Sequence, residues 1–240
     1  MDTEVSKKKS TTYKNLGDYG EFINRARIEA WEVALDLMPS LKREWIVDLG
    51  CSYGSWVENY KELGFEKILG IDSNPEVFDR AKERCDQFLE GDSSRLKDTE
   101  SIPFELIAAN GVIVHILPDE DLERFFRDAA DSLPKGGHFI FTGVNSRWWY
   151  SSGRKSSQND YFKVRSISDY HTIAERAGLT IVNEIGTFID PWAAEAFEHL
   201  ALDEEMRAKG ELFDAFSSVA RVMRGHHLDP FTEVLFIATA

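Results

Sequence analysis

The chain has 240 residues, of which 42% are hydrophobic and 29% charged, so it has enough apolar side chains for one sizeable core and too many for wholesale disorder. Its formal net charge of −14 argues against a nucleic-acid partner, because an acidic protein repels a polyanion. Two cysteines are too few for a disulfide framework, and the polar amino terminus and short apolar runs predict neither a signal peptide nor a membrane span. We therefore expect a cytoplasmic protein.

Residues 1–17 are rich in Lys, Ser and Thr and predict a flexible tail, whereas residues 18–240 predict one domain. The first half alternates between helices and short apolar strands. Helices are predicted over 18–38, 55–63, 75–88 and 119–133, and strands over 45–49, 67–71, a segment ending near 90, 104–109 and 138–142. This order implies a parallel sheet that is covered on both faces.

The second half begins with a polar loop and continues with mixed elements. They are a loop over 143–166, helices over 168–177, 191–208 and 211–224, and strands over 179–185 and 232–238. The expected fold is α/β: a doubly wound, mostly parallel, seven-stranded sheet with helices on both faces. A lid loop (144–166) and a small helical cap inserted before the last strand (190–225) complete it.

A glycine-rich turn links the first strand to the next helix. In the run from Asp48 to Gly54, Gly50 turns the chain off the strand, Ser52 is small, and Gly54 permits close approach. Asp72 ends the next strand, 22 residues after Gly50, where doubly wound folds place a carboxylate on ribose hydroxyls. The nicotinamide-dinucleotide pattern would need glycines at three positions, and two of those carry serine. A glycine turn without any ligand is the remaining alternative.

The spacing acidic-x-Gly-x-Ser-x-Gly from Asp48 to Gly54 resembles motif I of the class I S-adenosylmethionine-dependent methyltransferases. Further segments are similar to later motifs of that family: Asp72-Ser73, Glu90 to Ser93, Ala109 to Val112, and the glycine turn Leu133 to Gly137. Together they cover roughly residues 18–143. The resemblance implies S-adenosylmethionine as cofactor. It also implies these cofactor-binding residues: Tyr19, Arg25, Asp48, Gly50, Cys51, Ser52, Gly54, Asp72, Ser73, Asp92, Ser93, Asn110 and Gly111.

The class of methyl acceptor is narrowed by the family signatures that this sequence lacks. One large subclass that methylates amino groups carries Asn/Asp-Pro-Pro-Tyr/Phe after the fourth strand, whereas here Asn110 precedes Gly111-Val112-Ile113. No Asp-Asn pair of the metal-dependent catechol type is present. The adjacent His226 and His227 lack a third ligand at a recognisable spacing, so no metal is predicted.

His115 is the candidate catalytic base, because an imidazole titrates near neutral pH and lies just beyond the fourth strand. The alternative is a histidine that packs among the neighbouring apolar residues.

The lid loop holds five cationic residues against one aspartate, with aromatic residues between them. Aromatic faces suit sugar or aryl rings, and cationic groups suit phosphate or carboxylate. We predict that Trp148, Trp149, Arg154 and Lys155 bind the acceptor. A solvated loop that its tryptophans hold to the protein body is the alternative.

The sequence thus predicts a methyltransferase that acts on a small molecule, with an oxygen atom of an anionic sugar-type or natural-product acceptor preferred. N-methylation of a small molecule or amino sugar, and a non-catalytic regulatory module that binds S-adenosylmethionine, remain alternatives. The patterns do not separate a monomer from a homodimer.

Overall fold

A computed structural model describes residues 18–147, 161–190, 210–224 and 227–240. Seven strands form one sheet: β1 Trp45–Leu49, β2 Lys67–Asp72, β3 Gln87–Glu90, β4 Leu106–Ala109, β5 His138–Val144, β6 Thr180–Gly186 and β7 Glu233–Thr239. Their order is β3-β2-β1-β4-β5-β7-β6, and only β7 is antiparallel to its neighbours. The predicted doubly wound, mostly parallel sheet is confirmed.

Six helices lie in the described ranges: α1 Asp18–Asp36, α2 Val57–Glu62, α3 Phe78–Arg84, α4 Asp119–Ser132, α5 Ile167–Arg176 and α6 Gly210–Met223. Three 3₁₀ turns accompany them, at Pro75–Val77, Ser93–Thr99 and Ile113–His115. No helix within those ranges is both long and apolar enough to cross a bilayer.

The central strands explain the continuous apolar runs of the sequence. Every residue of β1 and β4 is buried, because parallel strands between two helical layers have no solvent face. One core cluster includes an aromatic group from α4, α5, β5 and β7, in which Phe141 stacks on Phe236 at a ring-centroid distance of 4.8 Å. The other cluster joins α1 and α2 to the sheet through Trp31 and Tyr60.

Some predicted boundaries were wrong. The helix expected over 75–88 ends at Arg84, because Cys85 is extended and the chain enters β3, which contains Phe88. The helix expected from residue 55 begins at Val57, since the glycine turn occupies the preceding positions.

Of the two predicted cap helices, the second is α6, which lies beside α1. The first, over 191–208, the tail over 1–17 and most of the predicted lid fall outside the described residues. The division into domain, lid and cap stays a prediction.

Candidate cofactor and acceptor site

The direction in which the chain adds strands changes between β1 and β4. The connection after β1 leads to β2 on one side, and the connection after β4 leads to β5 on the other side. β1 pairs with β2 on one side and with β4 on the other, all three parallel, so their carboxyl ends meet at one edge. In open α/β sheets this switch point forms the ligand crevice. The glycine loop (residues 50–55) and the segment after β4 border it.

The glycine loop alternates between ordinary and left-handed backbone. Gly50, Ser52 and Gly54 have φ of 72°, 53° and 66°, and Ser52 is the only non-glycine residue with positive φ in the described ranges. The Gly50 amide donates to the Ile71 carbonyl oxygen at 2.7 Å, which ties the loop to β2. The loop is therefore held in shape by the neighbouring strand.

Asp72 fixes the middle of this loop. Its Oδ2 accepts the Ser52 amide at 2.8 Å, and its Oδ1 accepts the Asn74 amide at the same distance. Each carboxylate oxygen has a second lone pair, so Asp72 can still accept ribose hydroxyls. Ser73, beside it, is exposed. The sequence predicts Asp72 only as a ribose-binding residue, and it did not indicate that Asp72 also holds the glycine loop in shape.

Asp48 lies beneath the loop at the end of a buried hydrogen-bond chain. The Trp31 indole donates to Asn110 Oδ1 (3.0 Å), the Asn110 amide nitrogen donates to the Tyr60 oxygen (2.7 Å), and the Tyr60 hydroxyl donates to Asp48 Oδ1 (3.1 Å). Trp31 and Tyr60 fall within the helices predicted over 18–38 and 55–63, and no sequence pattern indicated a role for either side chain at the site. The available signal was that a buried indole N–H or phenol O–H needs a partner.

Burial acts strongly on Asp48, which is 3% exposed. Desolvation raises the pKa of its carboxyl group to about 7; the Tyr60 hydrogen bond opposes this shift and the charge of Asp72 adds to it. Two carboxyl groups at adjacent strand ends fit a cationic nucleoside with ribose hydroxyls, and they would repel a pyrophosphate. The donor set thus fits S-adenosylmethionine.

Cys51 turns its side chain under the loop. Its thiol contacts Cys85, and that hydrogen bond together with burial raises the pKa of Cys51. Both sulfur atoms lie over Gly70, within 2.7–2.8 Å of where a Cβ on that glycine would stand. Any contact of Cys51 with a ligand in the crevice would therefore use its backbone.

Asp92 and Ser93, two of the predicted cofactor-binding residues, form hydrogen bonds within the protein. Asp92 accepts hydrogen bonds from Ser94, which lower its pKa, and begins the 3₁₀ turn Ser93–Thr99. The buried Ser93 hydroxyl donates to Asp128 of α4. At the end of β4, the Gly111 amide donates to the Thr142 hydroxyl at 2.9 Å.

The leading helix α1 carries Tyr19 and Arg25, which the resemblance names as cofactor-binding residues. Arg25 forms an ion pair with Asp214 of α6 at 2.7 Å and also donates to Ser217. The side chain of Tyr19 lies outside the described residues.

His115 is exposed on the segment that follows β4. Its Nδ1 lies 2.9 Å from the Tyr161 carbonyl oxygen. Because a carbonyl only accepts, Nδ1 carries the hydrogen, and the basic lone pair of the neutral ring is on Nε2.

Residues 161–165 form the carboxyl-terminal end of the predicted lid, which we call the stem. The stem lies beside the segment that carries His115. The Lys163 amide donates to the Val114 carbonyl oxygen at 2.8 Å. The Arg165 guanidinium, 2% exposed, donates to the Ile116 carbonyl oxygen and to Asp119 Oδ1, each at 2.8 Å. The stem is therefore fixed against the candidate base.

The lid is less basic than its composition suggested. Lys163 and Arg165 both pair with Asp119, and Arg147 pairs with Asp229 at 2.8 Å. Residues 148–160 lie outside the described ranges, including the predicted acceptor-binding residues Trp148, Trp149, Arg154 and Lys155. Three of the five lid cations thus pair with two carboxylates of the same chain.

Comparison with known proteins finds one family and several solved structures that this chain resembles. Residues 46–137 match the family described as a methyltransferase domain. A protein of Haemophilus influenzae described as uncharacterized is 26% identical over 117 residues, and this match spans 45% of each chain, less than half of that relative's length.

Solved structures similar to this chain share its fold at low identity. An S-adenosylmethionine-dependent methyltransferase from Clostridium acetobutylicum is 12% identical with a TM-score of 0.56, over 88% of this chain and 91% of that one. One from Archaeoglobus fulgidus is 17% identical with a TM-score of 0.57, over 92% and 99%. The CcbJ methyltransferase from Streptomyces caelestis is 14% identical with a TM-score of 0.59, over 90% and 89%.

Proposed function

We propose that this chain, a member of the class I, Rossmann-like family of S-adenosylmethionine-dependent methyltransferases with S-adenosylmethionine as its cofactor, methylates an oxygen atom of a small anionic acceptor. The observation that carries the proposal is the hydrogen bond between His115 Nδ1 and the Tyr161 carbonyl, which leaves the basic lone pair of the ring on Nε2, on the segment that follows β4.

On the donor side, the glycine loop and Asp72 hold the nucleoside. Gly50, Ser52 and Gly54 shape the turn, and Asp72 accepts the ribose hydroxyls with the lone pairs that the loop amides leave. Asp48 supplies negative charge beneath the turn. The other cofactor-binding residues named from the resemblance remain part of this proposal.

S-adenosylmethionine supplies an electrophilic methyl group on a sulfonium. The protein's own task is to align the acceptor and, for an alcohol or phenol, to remove its proton. His115 can take that proton on Nε2 while Nδ1 stays bonded to the Tyr161 carbonyl. A neutral amine attacks without losing a proton first, so a positioned base favours oxygen as the acceptor atom.

The anionic character of the acceptor depends on Arg154 and Lys155. Arg147, Lys163 and Arg165 already pair with carboxylates, and Trp148 with Trp149 offers flat faces for a ring.

The test is a transfer assay with methyl-labelled donor and a panel of phenols, hydroxy acids, phosphorylated sugars and amines, with products identified by mass spectrometry. We expect an O-methyl product. His115→Gln should lower kcat by about 100-fold, the scale of a lost general base, without changing donor affinity. The exposed His171, which pairs with Glu184, gives the matched control His171→Gln, with kcat unchanged.

Other outcomes identify the alternatives. Transfer to amines alone would make the protein an N-methyltransferase. Donor binding without turnover on the whole panel would favour a regulatory binding module.

A further inference from the structure

The hydrogen-bond chain beneath the glycine loop has a fixed direction. The Trp31 indole can only donate, so Asn110 Oδ1 accepts and the amide nitrogen of Asn110 is left to donate onward. The Tyr60 oxygen receives that hydrogen bond, and its own hydrogen points to Asp48 Oδ1. Every donor in the chain therefore points toward the carboxyl group of Asp48.

Four separate elements supply this chain, and three of its four residues are shielded from water, while Asn110 is half-buried. Trp31 of α1 and Tyr60 of α2 are fully buried, and Asp48 of β1 is 3% exposed; Asn110 follows β4. In such surroundings a hydrogen bond donated to a carboxylate favours the ionised form strongly. The chain thus opposes the effect of burial, which favours the neutral acid.

The titratable groups that face Asp48 within the described ranges are Tyr60, Asp72 and Cys51. Burial raises the pKa of Tyr60, and the Cys85 hydrogen bond raises that of Cys51, so both stay uncharged near neutral pH. Asp72 adds a negative charge that opposes ionisation of Asp48. Burial and the charge of Asp72 thus favour the protonated form of Asp48, whereas the donor chain favours its ionised form.

We propose that Trp31, Asn110 and Tyr60 are positioning residues that hold Asp48 ready to ionise as the counter-charge of the cationic methyl donor, so that donor binding releases a proton from Asp48. The inference rests on the proposed placement of the donor over the glycine loop. No covalent bond changes: the Asp48 O–H proton passes to the buffer, and the carboxylate remains opposite the positive charge of the ligand.

The sign of the pH dependence follows from the raised pKa of about 7 in the free protein. Below that pH, Asp48 is neutral and the cation binds without its counter-charge. Affinity for S-adenosylmethionine should therefore rise by about tenfold from pH 6 to pH 8, with about half a proton released per donor bound at pH 7. Isothermal calorimetry in buffers of different ionisation enthalpy measures both quantities.

The ligand control is 5′-methylthioadenosine, which keeps the nucleoside and the methyl-bearing sulfur but lacks both the sulfonium charge and the charged amino-acid part. Its affinity should not change across this pH range. Asp48→Asn should bind S-adenosylmethionine weakly and without pH dependence.

Tyr60→Phe removes the last donor of the chain and should move the midpoint of the pH dependence upward by about one unit. Tyr170→Phe is the matched control, because Tyr170 is equally buried and its hydroxyl points to the Val144 carbonyl. It should leave the midpoint unchanged. Trp31→Phe is a second variant, with a smaller upward shift.

A measurement on the protein without ligand tests the inference even if Tyr60→Phe or Trp31→Phe is unstable. Carboxyl ¹³C NMR of the wild-type protein should show one aspartate that titrates near pH 7 and is missing from Asp48→Asn.

An unchanged midpoint in Tyr60→Phe or Trp31→Phe, or the same pH dependence with 5′-methylthioadenosine, would overturn the inference. Donor binding that is independent of pH would overturn it while leaving the proposed function intact. No donor binding at any pH would contradict the proposed function itself.

Discussion

Gly50 meets two separate requirements at one position. Its φ of 72° is left-handed, where a side chain is strained, and a Cβ there would stand 2.5 Å from Val112 Cγ2. The missing side chain thus lets the segment after β4 pack against the turn after β1. The backbone turn and the close approach of two strand ends depend on the same residue.

The two requirements can be separated by comparison with Gly136, which also has a left-handed φ, of 80°, but no atom within 4 Å of its Cβ position. Gly136→Ala should lower the free energy of unfolding by about 1 kcal/mol from backbone strain alone. Gly50→Ala should cost about 1–3 kcal/mol more, because the methyl group overlaps Val112. Urea denaturation measures both.

Val112→Ala in the Gly50→Ala background should recover part of the loss by removing the overlapping methyl groups. Equal destabilisation by the two alanine substitutions would show that contact with Val112 is unimportant.

At the scale of elements, α1 is joined to β7 by a buried ion pair. Arg27 donates from Nε to Glu233 Oε1 at 2.7 Å and from Nη2 to Oε2, and both side chains are nearly inaccessible. The Thr187 hydroxyl also lies near Glu233. This pair holds the helix that carries Trp31 in a fixed position on the sheet.

Glu233→Gln should lower the free energy of unfolding by about 3–5 kcal/mol, because it removes the carboxylate that pairs with the buried Arg27 guanidinium. The exposed pair Arg25–Asp214 gives the control: Asp214→Asn should change it by less than about 1 kcal/mol. Thermal and urea unfolding measure the difference. Equal effects of the two substitutions would mean that burial does not set the strength of the Arg27–Glu233 pair.

At the scale of the whole molecule, the acidic composition disfavours anionic ligands, whereas the proposed acceptor site favours one. The net charge of −14 repels anions at long range, whereas Arg154 and Lys155 belong to the segment 144–166, which we propose binds an anionic acceptor. Long-range repulsion is screened within about 10 Å at moderate salt, so local cations can still hold a small anion. A nucleic acid, with charge spread over a long backbone, would meet the repulsion along its whole length.

The protein should therefore show no mobility shift with duplex DNA or transfer RNA at low salt, where electrostatic binding is strongest. A complex whose affinity falls steeply as salt is added would contradict this prediction and would make nucleic acids candidate methyl acceptors.

The sequence by itself predicted the class of fold from local patterns, and it predicted the kind of ligand from the resemblance of those patterns to a known family. A short run such as Trp45–Leu49, apolar apart from Asp48, predicts a strand buried on both faces, and the spacing from Asp48 to Gly54 predicts a tight turn at its end. The wrong boundaries lie at such ends: Phe88 continues a helical pattern, but pairing of β3 with β2 overrides it. Register and pairing depend on residues distant in the chain.

Only the tertiary structure decided what each polar side chain does. Asp72 accepts loop amides because β2 lies beside β1, and Lys163 and Arg165 lose their role as exposed lid cations because the stem meets Asp119. Trp31 and Tyr60 become donors to the Asp48 network because α1 and α2 meet over the same strands. The physical reason is that hydrogen bonds and ion pairs act over a few ångströms between residues far apart in sequence, and no local pattern records such neighbours.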